Sequence, residues 1–165
     1  IAAAIGHLQT ALASAASGLP ERDPAVRALA VGANNLAAAL EEKSPRDADE
    51  TRAMLAAARA SREFWARAGT WLETQRAEYV LAKCHLAAGD APTALGHAAQ
   101  CAAICERHGA NAFERFFAQS VLALANRACG NDDRHAQAKA AALAQYAQLE
   151  AGQRPSCEST LRLLT

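Results

Sequence analysis

AEYVLAKCHLAAGD, residues 77–90, set above AQSVLALANRACGN, residues 118–131, matches Ala77 with Ala118, Val80 with Val121, Leu81 with Leu122, Ala82 with Ala123, Ala87 with Ala128 and Gly89 with Gly130 at a constant offset of 41 residues. Each stretch carries apolar residues at helical spacing and ends on glycine followed by Asp or Asn, a pair that stops one helix and caps the next. A looser copy lies upstream, where Asn35-Leu36-Ala37 aligns with Val80-Leu81-Ala82 at an offset of 45, and Pro24 then falls where the later copies begin a helix. Self-similarity at this spacing marks stacked helical units, none of which can bury its apolar face alone.

Working outward, turn signals divide the rest of the chain in the same way. They fall at Ser17-Gly18-Leu19-Pro20, Lys43-Ser44-Pro45, Ala68-Gly69-Thr70, His108-Gly109 and Gly152-Gln153-Arg154-Pro155. Asp23 before Pro24 reads as an N-cap with proline at the first helical position, and Asp90 precedes a helix containing Pro92. Helices are expected near 2–16, 24–43, 47–68, 70–88, 91–108, 111–129, 132–149 and 156–164, with no strand. The expectation is one all-α domain over residues 1–165, with units at 24–68, 70–108 and 111–149 and capping helices at 1–17 and 156–165.

Composition agrees. The chain has 165 residues, enough to bury a continuous core without staples. Alanine is about a quarter of it and aromatics 5%, a helix-forming mixture whose small side chains let helices approach closely. Seventeen Lys and Arg balance seventeen Asp and Glu, so no basic patch suited to nucleic acid is advertised. The uncharged run Ile1 to Pro20 reads as an amphipathic helix packed on the rest rather than a membrane anchor. Ile rather than Met at position 1 is what a fragment, or a numbering that omits the native start, would show. Five cysteines, an odd number without regular spacing, point to reduced thiols in a cytoplasmic protein.

These units resemble the tetratricopeptide repeat. The family's Leu-Gly pair appears as Leu81-Ala82, its Gly-Asp turn as Gly89-Asp90 and its small second-helix residue as Ala94, followed seven positions on by Cys101. The third unit keeps Leu122-Ala123 and Gly130-Asn131, and the first keeps Leu36-Ala37 with Ala53, Ala57 and Ala60. Units of 41 to 45 residues exceed the family's 34, and most signature aromatics are missing, which is closest to the long-helix variants of bacterial regulatory and scaffolding proteins. The resemblance implies a right-handed superhelix of three helix-turn-helix units whose first helices line a concave groove. Carried over by position, the groove would present Val31, Arg76 and Phe117, then Asn34, Tyr79 and Ser120, then Ala38, Lys83 and Leu124, then Glu41, Leu86 and Arg127. Asn34, Arg76, Tyr79, Lys83 and Arg127 make it polar and mildly basic, with Phe117 and Leu124 as an apolar end.

The resulting expectation is a non-enzymatic module that binds a peptide or helix of another protein, without cofactor or metal. A self-associating domain that dimerises through Ile1 to Ser17 is the alternative, and a small-molecule or metal-binding bundle comes third. Other clusters have plainer readings. Phe113, Phe116 and Phe117 share one helix face and read as packing between units, with one of the last two free to face the groove. Trp65 and Trp71 are expected to pin two units across Gly69. His97, Cys101, Cys105 and His108 lie near one stripe, yet a straight helix cannot wrap a tetrahedral ion with four of its own side chains. Cys105 beside Glu106 and His108 lacks the setting of a nucleophile, because a neighbouring carboxylate raises a thiol pKa. Arg46, Arg52, Arg59, Arg62 and Arg67, interleaved with Asp47, Asp49, Glu50 and Glu63, read as a solvated helix face.

Overall fold

The computed structural model describes residues 1–15, 18–20 and 23–165. Its elements are α1 (Ala2–Ala15), α2 (Pro24–Glu42), α3 (Ala48–Ala68), α4 (Trp71–Ala87), α5 (Ala91–Arg107), α6 (Ala112–Ala128), α7 (Asp132–Ala147), a 3-10 turn (Arg154–Cys157) and α8 (Glu158–Leu164). Every described element is helical. Ala16 and Ser17, the expected end of the first helix, lie outside the described residues.

Local chemistry sets the boundaries. Asp23 accepts from the Ala25 amide at 2.8 Å ahead of Pro24, while Asp47 with Glu50 and Thr70 with Glu73 form reciprocal capping boxes. At the other ends, Gly89 and Gly130 take φ of 78° and 72°, where a side chain is strained. The residue after each glycine bonds back across the turn, Asp90 N to His85 O and Asn131 N to Asn126 O, both at 2.9 Å. Arg46 ends α2 differently. Its guanidinium donates to the carbonyls of Leu40 at 2.8 Å and Lys43 at 2.6 Å, and across to Ala87 of α4 at 3.2 Å.

Hairpins α2–α3, α4–α5 and α6–α7 make the most extensive contacts, and α3 on α4 and α5 on α6 join each hairpin to the next. The first helices also touch in series, α2 with α4 and α4 with α6, whereas α3, α5 and α7 barely meet one another. The stack is therefore tightest along its first helices. Alanines make this possible: Ala30, Ala33, Ala37, Ala82, Ala94, Ala98, Ala123 and Ala125 are each fully buried. Larger residues fill the gaps, with Leu36, Leu40, Met54, Leu81 and Cys84 joining α2, α3 and α4. Burial of a side chain such as Leu40 contributes about 2 kcal/mol.

Trp65 is buried with Val26, Ala30, Phe64 and Ala77 and so ties the first hairpin to α4. Trp71 behaves otherwise. Its ring stacks on His108 at 5.0 Å within the second hairpin, and it packs on the cluster that holds Cys101 and Cys105 with Ala118 of α6. The arginine row is solvated at Arg52, Arg59 and Arg67 and half-buried at Arg46 and Arg62. Arg52 pairs with a near neighbour, Asp49; Arg62 bonds Glu78 of α4 at 2.6 Å, and Arg67 donates to the Leu19 carbonyl at 2.8 Å. The competing partners lie 16 to 48 residues away, out of reach of a local reading.

Candidate functional site

Spacings of three and four residues place Val31, Asn34, Ala38 and Glu41 on one stripe of α2, Arg76, Tyr79, Lys83 and Leu86 on one of α4, and Phe117, Ser120, Leu124 and Arg127 on one of α6. Contacts between neighbouring first helices join the stripes. Lys83 pairs with Glu41 at 2.6 Å and sits 5.9 Å over the Tyr79 ring. Tyr79 in turn meets Phe117 edge to face at 5.6 Å. A continuous run, Glu41–Lys83–Tyr79–Phe117, thus crosses α2, α4 and α6.

The electrostatics of the run are set by burial and pairing. Burial pushes the Tyr79 phenol up, against the pull of Lys83. Burial works against the Lys83 charge, but Tyr79 and the hydrogen-bonded Glu41 more than offset it and hold the ammonium protonated. Arg76 is not a free donor. It forms a forked pair with Glu114 of α6, Nε to Oε2 at 3.2 Å, and that carboxylate is only 5% exposed. The hydrogen bond raises the Arg76 pKa further.

Beyond Phe117 the α6 stripe is covered. Leu124 and Phe117 pack in the cluster that holds Leu161 and Leu164 of α8, and Arg127 donates to the Leu163 carbonyl at 3.2 Å. Ser120 is fully buried and bonded to the Phe116 carbonyl at 2.7 Å. Phe116 is core, whereas Phe117 is the member of the pair that reaches the stripe. Of the seven expected groove residues, Tyr79, Lys83, Phe117, Leu124 and Arg127 are thus brought into one strip, Arg76 flanks it through Glu114, and Asn34 is half-buried on α2. Sequence reasoning missed α8 as part of this surface. A capping helix was expected at 156–165, but Leu161 and Leu164 at i and i+3 are too short a pattern to show where it sits.

Along α5 and its C-cap, His97, Cys101 and His108 are each engaged by a different residue of α4. His97 Nδ1 lies 2.7 Å from Glu78, Cys101 accepts from Gln75 at 3.1 Å, and His108 stacks on Trp71. Among the described residues no group of three or more His, Cys, Asp or Glu could hold a metal ion. Burial pushes the thiols of Cys101 and Cys105 to about 12 and about 11, so both stay protonated. None of the five cysteines is in a disulfide.

A second polar cluster emerged that the sequence had hidden. Glu78, 5% exposed, sits between Arg62 of α3 and His97 of α5, and the His97 ring stacks on His85 at 5.5 Å. It fastens three helices together. Both carboxylate oxygens of Glu78 are engaged by protein, Oε1 by Arg62 and Oε2 by His97.

No described helix is long and apolar enough to cross a membrane. No protein-family model matches the chain, and neither a curated protein nor a solved structure matches it significantly.

Proposed function

We propose that the chain is a tetratricopeptide-like module, wound as a right-handed superhelix, that binds a peptide or helix of another protein along the face of α2, α4 and α6 and catalyses no reaction. One observation carries this reading: the side chains of three successive first helices join in a single strip from Glu41 through Lys83 and Tyr79 to Phe117. Such a strip offers an aromatic anchor flanked by polar groups, the mixture that holds an extended or helical segment. The cytoplasm suits its five unbridged thiols.

The accessible end of the strip is the place to test it. Val31 is 40% exposed and Asn34 half-buried, so Val31→Glu and Asn34→Arg alter the face without removing a core contact. Proteins captured from a native lysate by the intact chain are expected to be lost with both variants, at unchanged thermal stability. Capture that survives both substitutions removes the face from consideration. Self-association is the second reading, favoured by α1, whose Ile5, Leu8 and Leu12 pack on the core yet are only half-buried, with Ile1 51% exposed beside them. A single monomeric mass at high concentration in the ultracentrifuge dismisses it.

A further inference from the structure

We infer that the α6 end of this face is a docking site for a short amphipathic helix, and that α8 is the tethered stand-in which a partner helix of the same chemistry displaces. The inference rests on the proposed reading and gives the partner a chemical class.

Three features of α8 support it. First, α8 packs chiefly on α6, and its two faces are distinct. Leu164 is 1% exposed and, with Leu161, lies against Phe113, Phe117 and Leu124. The outward side carries Leu163, 51% exposed, and the solvent-facing pair Arg162–Glu158 at 3.6 Å. Second, the strip holds α8 by polar groups at both ends. Thr160 meets the Tyr79 phenol of α4, and Arg127 takes the Leu163 carbonyl, where a cation complements the negative end of a helix. Tyr79, Phe117, Leu124 and Arg127 therefore already act as receptor groups.

Third, α8 has only seven residues. A helix that short is unstable in water, so its form here is imposed by the surface beneath it. Leu149 and Cys157, at 4% and 0% exposure, fasten the connecting segment to the core. Release of α8 need not unravel what precedes it. The matching partner segment carries a hydroxyl followed by leucines one and four positions later, keeps charge off that face, and ends its helix at Arg127. Because a short tether gives α8 an effective concentration on the order of millimolar, such a partner binds the intact chain more weakly than it binds the bare site.

The test uses a fluorescent peptide with the sequence of residues 155–165 and two chains of residues 1–165, unmodified and Leu161→Asp, Leu164→Asp. The expected result is binding at least about tenfold tighter to the variant, where the tethered competitor is gone, with that gain lost when Arg127→Ala and Leu124→Asp are added. Equal affinity for both chains, or none for a variant shown to be helical by circular dichroism, overturns the inference. The wider groove reading is judged separately, by Val31→Glu and Asn34→Arg. Should the variant not fold, hydrogen exchange on the unmodified chain decides: millimolar peptide must speed exchange across 158–164 while α6 stays protected, and unchanged exchange overturns the inference. A dimer of the unmodified chain dissolved by the peptide would also overturn it, by making a second copy's α8 the occupant.

Discussion

Arg76 shows why removing a cation beside the proposed groove is a poor probe of it. Its partner Glu114 is 5% exposed and belongs to the next first helix, so Arg76→Ala strands a buried carboxylate. The expected loss is about 1–3 kcal/mol in urea unfolding, the usual result of leaving a buried hydrogen-bonding group unpaired. Adding Glu114→Gln should recover part of it, since the amide is neutral; a double variant no more stable than Arg76→Ala would show that the pair is not the cause. A second prediction concerns acid. Burial lowers the His85 pKa below its ordinary 6.5, with Asp90 opposing and His97 and Arg59 assisting. The unfolded chain therefore takes up this proton first as pH drops through 6.5, and stability falls. Burial pushes Glu78 up, but the hydrogen bonds from His97 and Arg62 outweigh it and leave the carboxyl below 4.5, so its stabilisation is present above that pH and is lost on further acidification. The unfolding free energy from urea titrations should decline from about pH 7.5 to about pH 5.5, by less than about 1.4 kcal/mol per pH unit for one proton. His85→Gln should flatten that decline, and a slope unchanged by the substitution would assign it elsewhere. Neither the Arg62–Glu78 nor the Arg76–Glu114 pair was legible beforehand, because the partners are 16 and 38 residues apart and only the packing of hairpins brings them together.

At the scale of one helix, the sequence reads well where the determinant is local. Asp23 before Pro24, the Gly89-Asp90 turn and its copy at Gly130-Asn131 place helix ends to within a residue or two of those observed. The same logic predicts opposite effects from one substitution. A Cβ at Gly89 meets nothing within 4 Å, yet φ there is 78°; Gly89→Ala is expected to cost about 1 kcal/mol from backbone strain alone. Gly96 lies mid-helix in α5 with equally open space around it, so Gly96→Ala should stabilise by about 0.5–1 kcal/mol. Thermal unfolding of the two variants checks both, and a shared sign would refute the assignment of turn and helix conformations. Legibility fails at α8. Its seven residues carry too few periodic positions to reveal a face, and its seat on α6 is decided by Phe117, Leu124 and Arg127, far upstream.

Across the whole molecule, the core is a chain of clusters rather than one centre. One joins α2, α3 and α4 through Leu40, Met54 and Leu81; others sit between α4, α5 and α6 around Ala82, Ala94 and Val121; and one closes the end around Phe116 and Leu164. In such a stack each hairpin is held by its neighbours, so protection against local opening should follow position along it. Helix α4 is flanked by α2, α3, α5 and α6, whereas α1 contacts mainly α2 and has no buried residue. Native-state hydrogen exchange should therefore show α1 amides opening at close to zero free energy, α4 and α6 near the global value, and α2 and α7 between. The polar ties sharpen that order, because Arg62–Glu78, Lys83–Glu41 and Arg76–Glu114 all converge on α4. If α4 exchanged as readily as α1, opening would not spread inward from the ends, and the hairpins would have to be stabilised one by one rather than by their stacking.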